Sequence, residues 1–378
     1  MLYLFVIIIL IVLAFSKDFK SIPIYSNRYY ILMYFIFALI AGLRLDVGTD
    51  TNVYVSLYQR IPTIDSLTSS FFSTTRYRPG IIVLYSLCKS IIPNFTFVLL
   101  VESFFVNYCI FKFIKRFSSR PFITLLFYFI INYLEFNMDI QREAISIALG
   151  LLCWMAYVDK KYIKALILLV FALEFHVSAS MIVLYPLLDR IKPSMTSIQI
   201  TIASVVVLST VYFMIPNIEY VVSYLLNTEE SFNVDLYAKH DMNNSVNFNA
   251  YLIHIIHFAF LSFCVLYSRN KSYNGYAGFV LALSSLFFLS TLISYGFYRF
   301  ANYLAPFYWI ALGEFIANFC IQYRNRFPTA FAAIFLLLYI TYYHEGKLLY
   351  KDQLSLDHTY AYENYFPYKS VLFDGNYK

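Results

Sequence analysis

The chain has 378 residues, of which 60% are hydrophobic and only 13% are charged, about half the charged share of a soluble domain. The net charge of +6 is modest and the lysines lie between apolar runs, so the sequence argues against a nucleic-acid partner. The five cysteines are scattered without a CxxC pair, and the sequence predicts neither a metal site nor a cofactor.

Apolar runs recur along the whole sequence and predict an all-α fold, a polytopic membrane helical bundle. When the lysine- and arginine-bearing connections are placed inside, about twelve spans result, with both chain ends outside. The interpretation is one transmembrane domain, residues 1–343, followed by a Tyr-rich tail, 344–378. The predicted spans are 2–15, 29–43, 95–111, 122–136, 144–157, 162–175, 177–188, 198–215, 251–267, 276–294, 301–319 and 331–343.

Two long connections are predicted to lie outside, at about 44–94 and 216–250. Within the first, the Ser/Thr-rich stretch 65–75 predicts irregular structure. The apolar run 79–92 is short and lies between prolines. A full crossing there would place the basic patch 112–120 outside, against the positive-inside bias, so we interpret it as a re-entrant or surface helix.

The sequence GLRLDVGTDTNVYVSLY, residues 42–58, ends a long apolar run in a group of polar residues. Arg44 lies one residue past that run, where a long side chain can reach the membrane surface. Asp50 follows within the same segment. We interpret this stretch as the entrance to an active site on the outer face of a membrane.

Other predicted outer turns also carry ionisable residues beside span ends, and charge near the bilayer is costly enough to require a reason. Guanidinium groups bind a diphosphate bidentately, whereas carboxylates and a histidine suit proton transfer. Within the apolar run 95–111, Glu102 and Asn107 are predicted to be buried hydrogen-bonding groups. The residues at the outer turns are Arg78, Asp139, Gln141, Arg142, Glu143, Glu174, His176 and Arg299.

Each of these residues also has a purely structural interpretation. Arg44 and Asp50 could form an ordinary pair at the start of a loop. Residues 141–143 could be the solvated first turn of a helix, with Glu143 favoured near its N-terminus. His176 could be a packing histidine, and Arg299 could extend to the membrane surface.

The segment 42–58 resembles the Arg-x-x-x-Gly-Thr-Asp-x-x-x-Tyr signature of the EpsG-like family of Wzy-type polysaccharide polymerases, here Arg44 to Tyr54. Further pieces follow in the family's order along most of the chain. Two positions depart from the family pattern: Arg78 stands where an acidic residue is usual, and Glu143 where glutamine is usual. The further pieces are Pro79–Gly80, Lys112–Phe117, Arg142, Phe175–Ala179 and the segment with Arg299, Tyr303 and Pro306.

The resemblance implies a membrane glycosyltransferase that polymerises oligosaccharide repeat units carried on undecaprenyl diphosphate, at the outer face of the bacterial cytoplasmic membrane. The product would be O-antigen, capsule or exopolysaccharide, and the partners would be the lipid bilayer and a chain-length regulator protein. Arg44, Arg142 and Arg299 are assigned to the diphosphate. The assigned base is Asp50, then His176, then Glu143, and the further substrate-binding residues are Gln141, Arg78 and Tyr54.

Two other classes of function remain open from the sequence. A transporter that flips lipid-linked sugars would predict ionisable residues along the bundle interior and pseudo-symmetric halves, and no internal repeat is visible. The second class is another membrane enzyme of the cell envelope, either a ligase that moves glycan to a lipid or protein or an acyltransferase. The ligase uses the same donor chemistry as a polymerase. A structural scaffold would not need several arginines at the outer turns.

Overall fold

The computed structural model describes residues 2–19, 27–75, 77–214, 248–268, 276–292, 296–322, 365 and 367–375, and these residues are almost entirely helical. Short 3-10 segments lie at Ile64–Ser66 and Val177–Leu184, and π-helical turns at Ala14–Asp18 and Glu135–Asp139. The α-helices are α1 Leu2–Leu13, α2 Asn27–Gly42, α3 Thr51–Arg60, α4 Ser69–Thr74, α5 Pro79–Ile91, α6 Phe95–Phe117, α7 Pro121–Ile131, α8 Gln141–Val158, α9 Tyr162–Phe175, α10 Tyr185–Leu188, α11 Met195–Met214, α12 Phe248–Ser268, α13 Ala277–Leu292 and α14 Gly296–Gln322.

Three of the described helices are long and apolar enough to cross a membrane, and several others are apolar but shorter. The long ones contain the segments Phe95–Phe117, Met195–Tyr212 and Phe297–Gln322. The prediction of an all-α fold with apolar helices of membrane-spanning length is therefore confirmed for the described residues, whereas the count of about twelve spans stays a prediction. Residues 216–247 of the predicted loop 216–250 lie outside the described part of the chain. The predicted last span, 331–343, lies wholly outside it.

The chain forms two compact units, one of residues 1–176 and 316–378 and one of residues 177–315. In the first unit, three contacts define one end of the helices, which we call the lysine end. The Lys115 ammonium donates to Asn27 Oδ1 at 3.3 Å, and Arg116 lies 2.6 Å from Asp159. The Ile123 amide donates to Asp18 Oδ2 at 2.7 Å. These contacts bring together the ends of α1, α6 and α8 and the starts of α2 and α7.

The opposite end of the first unit, which we call the Arg44 end, joins the other termini of the same helices. Gly42, at the end of α2, packs so closely on the first half of α6 that an added Cβ would lie 2.8 Å from the Leu100 side chain. Gly80, at the start of α5, is equally close to Glu174 at the end of α9. The helices α1, α2, α6, α7, α8 and α9 therefore alternate in direction, as the sequence predicts.

The segment between α2 and α6 both begins and ends at the Arg44 end of the bundle, so α5 does not have to cross the membrane. Its 13 residues extend about 20 Å, less than the ~30 Å of a hydrocarbon core. Pro79 opens the helix at a position where a missing N–H costs nothing. This geometry agrees with the interpretation of 79–92 as a helix that stays on one side.

The prediction of irregular structure at 65–75 is wrong, because this stretch contains a 3-10 turn and α4. Serine and threonine normally compete with helical hydrogen bonding. Here the Ser73 and Thr74 hydroxyls donate to carbonyls three residues earlier, those of Ser70 and Phe71, within the same helical turns. The prediction from composition failed because the hydroxyls of this segment form their hydrogen bonds within the helix.

A buried amide network fixes the turn between α7 and α8. Asn107 Nδ2 donates to Asn137 Oδ1 at 2.7 Å, and Asn137 Nδ2 donates to the Tyr128 hydroxyl at 2.8 Å. The Tyr128 hydroxyl donates in turn to Asn107 Oδ1 at 3.1 Å. The prediction that Asn107 is a buried hydrogen-bonding group is confirmed, and the network locks the π-helical turn that ends at Asp139.

The second unit is held by aromatic and hydroxyl contacts between α10, α13 and α14. The Tyr185 hydroxyl donates to the Tyr303 carbonyl at 2.6 Å, and the rings of Phe279 and Phe307 stack at 3.7 Å. His257 Nε2 lies 2.9 Å from the Tyr308 hydroxyl, so this histidine has a buried packing partner.

Candidate active site

The segment after α2 turns sharply and its backbone meets the turn before α8. Asp46 has φ 51° and Gly48 has φ 111°, in the left-handed region that glycine tolerates best. A Cβ on Gly48 would collide with the Met138 carbonyl and lie 3.0 Å from Asp139 Oδ1. The Thr49 amide donates to that carboxylate oxygen at 2.7 Å. Gly48 therefore allows the Thr49–Asp50 backbone to sit directly on Asp139.

The C-terminal tail returns to the same place and pairs with the Arg44 segment. Arg44 and Ser370 form an isolated antiparallel bridge. The Leu45 amide donates to the Lys369 carbonyl at 3.0 Å, and the Ser370 hydroxyl donates to the Leu43 carbonyl at 2.9 Å. Part of the predicted Tyr-rich tail is therefore an ordered component of the first unit.

A tyrosine of this tail completes the environment of Asp139. The Tyr365 hydroxyl donates to Asp139 Oδ2, while Oδ1 accepts from Thr49. Burial raises the pKa of Asp139 from 3.8 to about 6; the two hydrogen bonds oppose that rise, and the nearby Asp50 carboxylate adds to it. Burial also raises the pKa of Tyr365, so this hydroxyl stays a donor.

Arg142 lies in the first turn of α8, where it connects α3 with the segment before α5. Its guanidinium lies 5.0 Å from the centre of the Tyr77 ring and forms a hydrogen bond with the buried Tyr54 hydroxyl. Burial raises the pKa of Tyr54, an effect that Arg142 partly offsets and Asp50 reinforces. Arg142 is only half-buried and Asp50 is exposed, so both groups are accessible.

Two buried side chains beside this pair each carry a polar atom without a hydrogen-bond partner among the described residues. They are Glu102 Oε1 and Gln141 Nε2, on residues that are 6% and 3% exposed. Tyr85 connects them: its hydroxyl donates to Gln141 Oε1 at 2.5 Å and lies within electrostatic range of Glu102. Buried polar atoms are normally satisfied, so two such atoms close together indicate a place for a polar ligand or ordered water.

Arg44 is placed differently from the sequence prediction. It is 1% exposed rather than extended to a surface, and its Nη1 donates to the Ala41 carbonyl at 2.7 Å. The guanidinium acts electrostatically on Glu102 and Tyr85. The tail covers the segment that carries it, which explains why a side chain that follows an apolar run does not reach outward.

The remaining predicted residues fall into two groups. Gln141 and Glu143 are buried in the first turn of α8, so the alternative of a solvated turn does not hold for them. His176 is buried just after α9, where α9 meets the start of α5, and the half-buried Arg78 precedes α5. Arg299 is half-buried in α14 and belongs to the second unit.

The structure thus brings Arg44, Asp50, Tyr54, Gln141 and Arg142 to one end of the first unit. Sequence reasoning assigned no site role to Glu102, Tyr85 or Tyr365, which belong to the same cluster, and named Asp139 only among the ionisable residues of the outer turns. Glu102, an ionisable residue within an apolar run, was the clearest available signal, and Asp139 stands only three residues before Arg142. Among the described residues, no three His, Cys, Asp or Glu side chains are grouped as metal ligands.

The EpsG family model matches residues 27–370, nearly the whole chain. The chain belongs to the EpsG family. EpsG is a Wzy-like polymerase family, so membership indicates a membrane protein of polysaccharide biosynthesis. No curated protein and no solved structure matches the chain. The match runs from the start of α2 to Ser370, so it includes the tail residue that pairs with Arg44.

Proposed function

We propose that this EpsG-family protein is a glycosyltransferase that joins lipid-linked oligosaccharide repeat units into a polymer. The donor is a growing glycan on undecaprenyl diphosphate, and the acceptor is a sugar hydroxyl of the next lipid-linked unit. Family membership supports the reaction class, and the Arg44-end cluster supports the location of the chemistry. About twelve spans in the bacterial cytoplasmic membrane, with this end facing outward, follow from the positive-inside bias.

The observation that carries the proposal is the pair of unpartnered buried atoms beside an accessible arginine. When Glu102 is ionised, its Oε1 atom is a hydrogen-bond acceptor and not a donor. Gln141 Nε2, by contrast, is a donor and not an acceptor. A sugar hydroxyl is both. The half-buried Arg142 offers fixed donors for phosphate oxygens, and its place over the Tyr77 ring restrains it.

In the proposed step, the acceptor hydroxyl oxygen bonds to the anomeric carbon while the bond from that carbon to the diphosphate oxygen breaks. The hydroxyl proton passes to Asp50, the exposed carboxylate beside Arg142 and Asp139. Arg142 stabilises the charge on the departing diphosphate. Arg44 is proposed to add positive charge for the diphosphate; it is buried, so a diphosphate would reach it only after covering residues move. Arg299, in the second unit, is kept as a further proposed diphosphate-binding residue on the strength of its sequence context alone.

His176 and Glu143 remain the second and third candidates for the base. Both are buried, His176 at 3% and Glu143 at 4% exposure, so neither is as accessible to an acceptor as Asp50. Arg78 and Tyr54 are proposed as further substrate-binding residues. The product would be O-antigen, capsule or exopolysaccharide, with a chain-length regulator protein as partner.

The test is substitution in a deletion strain, with membrane levels of the protein measured in parallel. Arg142→Ala and Asp50→Asn should each reduce long-chain polymer by about 100-fold or more, because each removes a group that acts on the reacting atoms. Arg60→Ala, at the exposed end of α3, is the matched arginine control and should leave the polymer normal. His176→Ala tests the second candidate for the base, by comparison with Asp50→Asn.

The deletion phenotype separates the other functions. A polymerase deletion leaves single repeat units on the lipid carrier or lipid core. A ligase deletion leaves no glycan on the final acceptor, and a flippase deletion traps the units inside. If the three single variants Arg142→Ala, Asp50→Asn and His176→Ala all make polymer of normal length, the site assignment is refuted.

A further inference from the structure

The lysine end of the first unit contains a cavity of about 500 Å³ between α6, α8 and the start of α9. Five cationic side chains and one carboxylate line it, an excess of four positive charges. Its floor is apolar, formed by Leu152, Met155 and Ala156. The charged lining residues are Lys112, Lys115, Arg116, Lys161, Lys164 and Asp159.

The one carboxylate does not neutralise this cavity. Asp159 forms its close ion pair with Arg116, at 2.6 Å, and Lys161 lies 3.8 Å from its other oxygen. Lys112 instead contacts Tyr108, with 3.2 Å between ammonium and hydroxyl. Lys164 is exposed at the start of α9. With five cationic side chains and one carboxylate, the cavity as a whole keeps a net positive charge that favours an anion.

The depth of the cavity matches the headgroup layer of a bilayer. Lys112 lies about 26 Å along α6 from Phe95, so with Phe95 at one boundary of a ~30 Å hydrocarbon core Lys112 would lie near the other. Tyr108 forms one wall and is half-exposed, as is common for tyrosine at this boundary.

An exposed apolar stripe begins at the cavity and continues along α9. Ile163 is 80% exposed and Leu166 61%, and Ile167 and Val170 continue the same face at helical spacing. A soluble anion would not use this stripe, whereas the acyl chains of a lipid would lie against it.

We propose that this cavity binds the phosphate headgroup of an anionic phospholipid, with the acyl chains along the α9 stripe. Basic pockets between membrane helices on the lysine-bearing side are suited to such headgroups. The site is separate from the Arg44-end cluster, at the opposite end of α6 and α8.

The experiment uses the full chain purified in mild detergent, with lipid binding measured by native mass spectrometry. Wild-type protein should retain phosphatidylglycerol in preference to phosphatidylcholine. The double variant Lys112→Gln/Lys164→Gln should weaken phosphatidylglycerol binding by about 30-fold, because each lysine near an anionic headgroup contributes about fivefold. Lys112→Arg/Lys164→Arg should retain it.

The matched control is Arg190→Gln/Lys192→Gln, which removes two exposed positive charges elsewhere in the chain and should leave binding unchanged. Equal retention of phosphatidylcholine, or unchanged binding in Lys112→Gln/Lys164→Gln, would overturn the proposal. Displacement of the lipid by millimolar inorganic phosphate would assign a soluble anion instead and would also overturn it.

Discussion

The two ends of the first unit are formed by the same helices, but several charges at the two ends differ in how far they are buried. At the Arg44 end, Arg44, Glu102 and Asp139 are less than 9% exposed and are linked to buried tyrosines. At the lysine end, Arg116 and Asp159 form an ion pair whose side chains are about one-third exposed. This ion pair is partly solvated by water, whereas the buried charges at the Arg44 end depend on protein partners, as the buried Asp18 does at the lysine end.

This contrast shows which charges report topology and which indicate chemistry. A buried charge loses much hydration and persists only where specific partners replace the water. An exposed ion pair contributes little to stability and is easily exchanged. The Arg44 end therefore holds its charges against a physical cost, as expected of a binding or catalytic site.

The largest effect is expected from Gly48→Ala, which tests whether the Arg44 end depends on the close approach to Asp139. A left-handed φ costs an alanine roughly 1–2 kcal/mol, and the new Cβ would also collide with the Met138 carbonyl. We expect a lower Tm in detergent and loss of polymer in cells.

Gly375→Ala is the control for Gly48→Ala, since Gly375 has φ 116° but nothing within 4 Å of an added Cβ. It carries the same backbone strain without the collision. Equal Tm shifts in the two variants would show that the contact with Met138 and Asp139 contributes nothing.

The second effect concerns pH. Because burial raises the pKa of Asp139 to about 6, the folded state holds its proton more tightly than the unfolded state. The contribution of Asp139 is therefore greatest below pH ~4 and is lost as pH rises through about 6, by up to roughly 3 kcal/mol. The Tm difference between wild type and Asp139→Asn should follow this curve.

Tyr365→Phe sharpens the pH measurement. It removes a hydrogen bond that lowers the pKa of Asp139, so the midpoint of the curve should move to higher pH. A midpoint that stays in place would mean that the tail tyrosine does not act on this carboxylate.

The smallest effect is expected at the lysine end. The hydrogen bond from Arg116 lowers the pKa of Asp159, so any stabilisation is present at neutral pH and is lost as pH falls. Asp159→Asn should shift the Tm within experimental error, because the pair is exposed. A loss as large as that of Gly48→Ala would remove the contrast between the two ends.

The sequence predicted the helices best where the apolar period is long and uninterrupted. The predicted spans 29–43 and 162–175 correspond to α2 and α9, because apolar composition and flanking charge define such helices locally. The predicted span 122–136 covers α7, which ends at Ile131, and the first residues of the π-helical turn Glu135–Asp139, which the sequence did not predict. That turn depends on Asn107, 30 residues away from Asn137, which no local pattern reveals.

For the candidate site, the sequence predicted roles for Arg44, Asp50 and Arg142 but did not predict that Arg44 is buried. Arg44 is covered through its pairing with Ser370, a contact across more than 300 residues. Composition and periodicity carry no information at that separation. Tyr365 was not predicted either, because no local feature distinguishes one tyrosine of a Tyr-rich tail from the others.

The tail pairing has a practical consequence for anyone purifying this protein. Tyr3 and Tyr368 place their rings 5.9 Å apart, and the Tyr3 hydroxyl contacts Met138, the neighbour of Asp139. An affinity tag or fluorescent fusion inserted close to Ser370 would therefore lie beside the strand-like contact with Arg44. A long, cleavable spacer at that junction is the sensible choice before any measurement of polymer length.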